Sequence, residues 1–302
     1  ETLFDDYTTR GPQMKTQELT IDRHMGYAFD FKVRELKNEP TLQYIRDSWL
    51  MAMAEMDSEQ RATWEAIYDK KNEEFLKNPS VGKDLLRWKY QRYVKEYCRT
   101  IRSVDEQVGR LLDYLEEKGV LDNTVIVYTS DQGFLLGEHG LYDKRFMYEE
   151  SFRTPLIISC PSLVKKHSVC KELVQNIDLA PTFLSLAGVE VPKEMSGRSL
   201  LPLFKNGKAE NWRNELYYHF YDYPAVGSVR KHDGIRTKRY KLIHWHGEGS
   251  GNDEAIDFWE LYDLKKDVME VNNVYDNPKY VKVREALTVQ LEKLRKDVGV
   301  TE

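Results

Sequence analysis

The sequence predicts an α/β fold with a smaller antiparallel lobe behind it, and three observations carry that expectation. A helical pattern over about 84–118 passes through Gly119 and the Asp122-Asn123 turn straight into a β-branched run at 124–129, the helix-then-strand order of α/β proteins. A second apolar run of strand length lies at 156–159, bounded by Pro161. Beyond about Asn206, aromatic segments of strand length alternate with turn residues, which is the texture of an antiparallel sheet. The 302 residues, 41% of them hydrophobic, suffice for a buried core. Charged residues make up 31% of the chain, but 12% aromatic residues argue against disorder.

Taken in order, the first forty residues lack clean periodicity and read as surface loops, with His24 a surface histidine. Over 41–77, Leu42, Ile45, Trp49 and Met53 recur at helical spacing, followed by Trp64, Ile67 and Phe75, until Asn78-Pro79-Ser80 breaks the run. The long helix carries Leu85, Trp88, Ile101, Val104, Val108, Leu111 and Leu115 on one face, with Gly119 as its C-cap. The strand at 124–129 reads as one buried on both faces. Asp178 is placed as the N-cap of a helix over 178–187 that Gly188 closes. Strands are expected at 215–221, 228–236, 240–245 and 258–263, with a turn at 247–252 between the last two and a final amphipathic helix from Pro278. The expected domains are 1–205, part of an α/β catalytic domain, and 206–302, the smaller lobe of antiparallel strands and terminal helix.

Several function classes fall away early. No window approaches the ~18 uninterrupted apolar residues of a membrane-spanning helix. A net charge of −5 without a basic tract leaves no electrostatic footprint for nucleic acid. The opening ETLFDDYTTR has neither a basic start nor an apolar core, so these residues show no signal peptide. Of three cysteines, Cys160 and Cys170 are a candidate pair in an oxidising compartment.

Chemistry concentrates after the strand at 124–129, in Ser130-Asp131-Gln132-Gly133, Gly137-Glu138-His139-Gly140 and Asp143-Lys144-Arg145. Loops beyond the carboxyl end of a strand present side chains from a rigid support. Asp131 and Gln132 are adjacent hard oxygen donors suited to calcium or magnesium rather than zinc. His139 and Lys144 are placed to face an anionic ligand. The plainer alternatives stand beside these: Asp131 ending a strand in an Asx-turn, Glu138 and Asp143 solvated or paired with Arg145, and His139 satisfying backbone groups.

The ordered set Tyr128-Thr129-Ser130-Asp131-Gln132-Gly133, Gly137-Glu138-His139-Gly140, Lys144, Tyr148-Glu149-Glu150 and Arg153-Thr154-Pro155 resembles the sulfatase family of the alkaline-phosphatase-like superfamily. Asp178-Leu179-Ala180-Pro181-Thr182, Gly197-Arg198-Ser199-Leu200 and Glu260-Leu261-Tyr262-Asp263-Leu264 extend the likeness over nearly everything from residue 90 onward. The resemblance implies an alkaline-phosphatase-like sandwich around a mostly parallel central sheet, incomplete here. It implies calcium ligands at Asp131 and Gln132, a sulfate-contacting catalytic lysine at Lys144, and His139 lining the substrate pocket. Substrates would be sulfated carbohydrates, with the spelling most like N-acetylglucosamine-6-sulfatases and less closely iduronate-2-sulfatases, hence glycosaminoglycans. Periplasmic, extracellular or lysosomal placement follows.

Sulfatases use a formylglycine made within a Cys-x-Pro/Ala/Ser-x-Arg signature, and none of the three cysteines supplies it. Cys160 and Cys170 lack the arginine, and Cys98-Arg99-Thr100-Ile101-Arg102 places Thr100 at the critical position inside the long helix. Asp5-Asp6 follows no strand and is discounted as a metal pair. The expectation is therefore the carboxy-terminal part of a longer enzyme, inactive without the amino-terminal half that bears nucleophile, further calcium ligands and a catalytic histidine. Two alternatives remain: phosphate or phosphonate monoester hydrolysis within the superfamily, and a non-catalytic domain binding sulfated glycan through Tyr217, Tyr218, His219 and the basic run Arg230-Lys231-His232.

Overall fold

A computed structural model describes residues 2–33, 43–224, 226–250 and 254–300. Thr41 and Leu42, proposed to begin the first helical run, and residues 251–252 of the proposed turn lie outside them. A short helix α1 (Gln13–Thr16) is followed by three longer ones, α2 (Gln43–Glu55), α3 (Ser58–Lys77) and α4 (Gly82–Glu117). Asp57 starts α3 with a reciprocal capping box: the Gln60 N–H donates to Asp57 Oδ1 at 2.8 Å, and the Asp57 N–H donates to Gln60 Oε1 at 3.0 Å. Replacing Asp57 with Ala is expected to cost about 1 kcal/mol, read as a lowered denaturant midpoint. Helix α4 ends where Gly119 takes a φ of +65°, the left-handed conformation that lets the chain turn toward the first strand.

Strand β1 (Ile126–Thr129) leads into a small hairpin, β2 (Leu135–Leu136) and β3 (Tyr142–Asp143), then α5 (Glu149–Phe152) and β4 (Leu156–Ser159). Two further helices, α6 (Leu179–Leu186) and α7 (Leu201–Phe204), precede the four-stranded sheet of β5 (Glu215–Phe220), β6 (His232–Thr237), β7 (Tyr240–Gly247) and β8 (Ile256–Asp263). That sheet is a meander in chain order, and α8 (Val281–Asp297) packs on one face of it. The α/β class, the antiparallel lobe and the terminal helix are thus all present. Among the described residues every strand pair is antiparallel, including β1 with β4, so no parallel ladder forms here.

Five expectations need correction. Far from being surface loop, the first 33 residues bury Met14, Leu19, Ile21, Met25, Phe31 and Val33. His24 is buried as well, its Nε2 2.6 Å from the Tyr44 hydroxyl. Strand β1 is only half-covered: Tyr128 and its cross-strand partner Ile157 are exposed, because β4 is its sole neighbour among the described residues. Asp178 does not cap α6 with its side chain; instead its carboxylate is buried against Arg213 and accepts from the N–H groups of Gln175 and Arg198 at 2.8 Å each. All three cysteines are free thiols.

The largest core cluster draws Met14 and Leu19 from the first segment, Leu135, Leu141, Phe146 and Tyr148 from around the hairpin, and Ile243, Trp245 and Tyr262 from the sheet. One apolar interior therefore ties the motif-bearing loop to both ends of the chain. Helix α4 contributes less than its pattern suggests, since Ile101, Val104, Leu111 and Tyr114 remain exposed. Among the described residues no helix is long and apolar enough to cross a membrane.

Candidate active site

The candidate site begins at the carboxyl end of β1, where residues 130–134 leave the strand. Asp131 is exposed; its Oδ1 accepts from the Gln132 N–H at 3.1 Å and lies 3.3 Å from the Ser130 hydroxyl. The Ser130 hydroxyl itself donates to the Gln132 carbonyl at 2.7 Å, so the turn is internally tied. The side chain of Gln132 makes no hydrogen bond among the described residues. From across the fold, the Asn176 amide donates to the carbonyls of Asp131 at 2.7 Å and Ser130 at 3.3 Å. Asn176 is a positioning residue that sequence reasoning passed over, although it lies two residues before the noted Asp178.

Gly133 is the point of closest approach. Its N–H donates to the Ser151 carbonyl and that of Phe134 to the Glu150 carbonyl, at 2.9 and 2.7 Å, clamping the loop onto α5. A β-carbon at Gly133 would stand 2.1 Å from the Glu150 carbonyl oxygen, which leaves no room for any other residue without moving the backbone.

The hairpin returns the chain to the same place. Leu135 pairs with Asp143, so Lys144 follows at the end of the hairpin nearest residues 131–134. Lys144 is exposed and has no ion-pair partner among the described residues. Its neighbours are committed elsewhere: Asp143 pairs with Arg145, and Glu138 Oε2 accepts from the Leu136 N–H at 2.7 Å. His139 and Asp143 both hold positive φ, 58° and 86°, a strained conformation for side-chain-bearing residues that surrounding contacts must enforce.

Those contacts come from the amino-terminal segment. The His139 N–H donates to Thr2 Oγ1 at 2.9 Å, and the Tyr7 hydroxyl donates to the His139 carbonyl at 2.5 Å. The His139 ring is fully buried, with Nδ1 3.1 Å from Asp5 Oδ2 and Nε2 3.8 Å from Glu150 Oε2. Arg10, equally buried, lies 3.1 Å from the same Asp5 oxygen and 2.8 Å from His139 Nδ1. A guanidinium only donates, so Arg10 donates to Asp5, and His139 Nδ1 lies within hydrogen-bond distance of both the Asp5 carboxylate and the Arg10 guanidinium. Burial opposes the charged imidazolium, but the Asp5 carboxylate beside Nδ1 and the Glu150 carboxylate near Nε2 prevail and raise its pKa. Burial likewise works against the Asp5 and Glu150 carboxylates, and the neighbouring His139 brings both below the usual range. Asp5 is therefore no half of a metal pair with Asp6 but the centre of a buried ionic cluster.

Beside it, Glu149 ties the site to the sheet. Arg236 of β6 meets it at 3.0 Å and Lys241 of β7 at 2.9 Å, while Lys241 also reaches Glu270 at 2.7 Å. Burial alone would raise the Glu149 pKa, yet Lys241 and Arg236 pull it down to about 2. The basic run in the lobe is structural, since Arg230 donates to the carbonyls of Glu248 and Glu254 and His232 is fully buried.

The chain matches the family model described as sulfatase over residues 33–189 and the one described as N-sulphoglucosamine sulphohydrolase, C-terminal, over 137–297. It belongs to the sulfatase family. This sulfatase is 45% identical over 296 residues to an N-acetylglucosamine-6-O-sulfatase of Bacteroides thetaiotaomicron, covering 97% of this chain and 51% of the relative. Human N-acetylglucosamine-6-sulfatase is 40% identical over 124 residues, 40% of this chain and 22% of that protein. The chain thus spans about half the length, or less, of these curated relatives. A solved structure of a protein in complex with its substrate D-glucosamine-2-N,6-O-disulfate superposes with a TM-score of 0.89 at 43% identity, covering all of this chain and 60% of the other. A phosphonate monoester hydrolase from Silicibacter pomeroyi superposes with a TM-score of 0.56 at 27% identity, over 70% of this chain and 41% of that one. The likeness supports the alkaline-phosphatase-like fold.

The family implies a calcium ion, and Asp131 and Gln132 fit it in kind: one carboxylate and one uncommitted amide carbonyl on a loop fixed by Asn176 and Gly133. They supply two of the six to eight oxygens, roughly, that calcium takes.

Proposed function

We propose that these residues form part of a sulfuric ester hydrolase that removes sulfate from a sulfated glucosamine unit, as found in glycosaminoglycans. The observation that carries the reading is the pairing of an exposed Asp131-Gln132 loop with an exposed, uncommitted Lys144 at the end of the adjoining hairpin, in a chain 45% identical to a relative of that named activity. Asp131 and Gln132 would hold the calcium ion, which when bound withdraws charge from a sulfate oxygen. Lys144 meets the sulfate and offsets charge developing on the leaving oxygen. His139, buried beneath the hairpin, acts as a positioning residue: its charged contacts hold the strained turn that leads to Lys144. The formylglycine nucleophile is assigned to residues outside these 302, since no cysteine here carries its signature. Exposed apolar side chains of α4, β1 and β4 support a covering segment from the same enzyme. A periplasmic, extracellular or lysosomal setting accompanies such substrates.

In the enzyme bearing both the nucleophile and these residues, Lys144→Ala is expected to lower kcat/KM on 6-O-sulfated N-acetylglucosamine by about 100-fold or more, with sulfate release measured directly. The 302 residues alone should release none. Turnover by them, or an unaffected Lys144→Ala enzyme, would refute the reading, and preference for a phosphonate monoester would move it to the neighbouring reaction.

A further inference from the structure

Under the last turn of α8, one face of the four-stranded sheet carries a polar row that the proposed hydrolysis does not use. The register sets His219 of β5 opposite Asp233 of β6, Asp233 opposite His244 of β7, and His244 opposite Trp259 of β8. His246 lies two residues further along β7, and the strand's period of two turns both imidazoles to the same face. Asp233 is buried, and its Oδ1 lies 3.9 Å from His244 Nδ1 and 3.6 Å from His246 Nε2. One donor atom from each of the three residues falls within 4.8 Å of the others.

We propose that Asp233, His244 and His246 form a binding site for a divalent transition-metal ion of the zinc class. Two imidazole nitrogens and one carboxylate oxygen are the donor set of a borderline cation, unlike the all-oxygen sets of calcium and magnesium. With metal–ligand bonds of about 2.0–2.2 Å, donors in a tetrahedral site stand about 3.3 Å apart. Side-chain rotation of a fraction of an ångström to somewhat over one therefore closes the cluster, on strands whose pairing need not change.

Two surrounding features match what a metal ligand requires. His244 Nε2 lies 2.9 Å from the carboxylate of exposed Asp257, the outer partner that fixes a ligating imidazole's tautomer and leaves Nδ1 facing inward. His246 Nε2 is buried and makes no hydrogen bond among the described residues, an arrangement that native interiors rarely leave without a partner.

In this structure Arg295 of α8 occupies the carboxylate, with Nε and Nη2 each 2.6 Å from an Asp233 oxygen and Nη2 3.1 Å from His244 Nδ1. A guanidinium and a metal ion cannot share that position, so metal binding displaces it. Glu292, three residues earlier on the helix and 2.5 Å from Nη1, is already in place to receive the displaced side chain. Arg295 is thus a built-in competitor that weakens the site without abolishing it.

Calorimetric titration of the protein with zinc in excess calcium, which occupies hard-oxygen sites, tests this independently of any hydrolase activity. The expected result is a single one-to-one binding phase, lost in His246→Gln and weakened about 10–100-fold in Asp257→Asn, a substitution of an exposed residue that leaves the fold intact. Arg295→Gln should tighten binding about tenfold, or about 1.4 kcal/mol. Cobalt in place of zinc should give the intense visible absorption of a tetrahedral centre that His246→Gln removes. No saturable zinc phase in the natural protein, or one indifferent to both His246→Gln and Asp257→Asn, overturns the proposal. Binding that appears only after Arg295→Gln overturns it as a site of the natural chain.

Discussion

Gly133→Ala is expected to destabilise the protein by about 3 kcal/mol, at the upper end of what forced overpacking costs, and to disable the site along with it. The added β-carbon meets the carbonyl oxygens of Glu150, Arg153 and Ser151 at 2.1, 2.8 and 2.9 Å, and none of these is the yielding tip of a side chain. Relief requires the loop to lift from α5, which breaks the hydrogen bonds from Gly133 and Phe134 to residues 151 and 150. Lifting also carries Asp131 and Gln132 away from the hairpin end that bears Lys144. A displacement of about 1 Å at reacting groups commonly costs about 100-fold in rate. Denaturant midpoints and sulfate release together check the expectation, and a stability change below about 0.5 kcal/mol would show that residues 150–153 yield and the clamp is not what holds the loop.

Asp5→Ala is expected to cost about 3–5 kcal/mol, the consequence of stranding a buried charge. Its carboxylate oxygen stands 3.1 Å from both Arg10 and His139, whose side chains have no solvent access, and the carboxylate also accepts the Tyr7 N–H at 3.0 Å. The same cluster sets a pH window. His139, with its folded pKa raised, contributes fully below its unfolded value near about 6.5, and that contribution is lost as pH rises through the folded pKa. Asp5 and Glu150, with folded pKa values lowered, contribute fully above their unfolded values near about 4, and lose that contribution as pH falls through the folded ones. The cluster should therefore stabilise most between about pH 4 and 6.5. Melting temperatures measured from pH 5 to 9 should decline for the natural chain and stay flatter for Asp5→Asn; parallel curves would remove His139 from this account.

The resemblance found in the sequence was carried by short, contiguous spellings, and these are the parts the fold uses locally. Periodicity placed α3, α4 and α8, and alternation placed the four strands of the lobe, because each depends on neighbours within one or two turns or along one strand. The functional loop was equally legible, since Asp131, Gln132 and Gly133 sit together and Lys144 is one hairpin away. Asn176 was not, because its reach to the Asp131 carbonyl spans 45 residues without a periodic trace. The first 33 residues were misread for the same reason. Their order comes from side-chain bonds to partners more than a hundred positions away, such as Tyr7 to His139 and Arg10 to Tyr262.

Sequence alone thus determined the family, the element types and the residues with chemistry to offer. Only the tertiary structure decided that His139 is buried in an ionic cluster while Lys144 stands free, that Asp178 binds Arg213 rather than capping its helix, and that His244 and His246 converge on Asp233. Periodic patterns report which face of an element is apolar, a short-range property. Which charges meet inside is settled by long-range packing, where desolvation makes each buried ion depend on a partner that no local spacing announces.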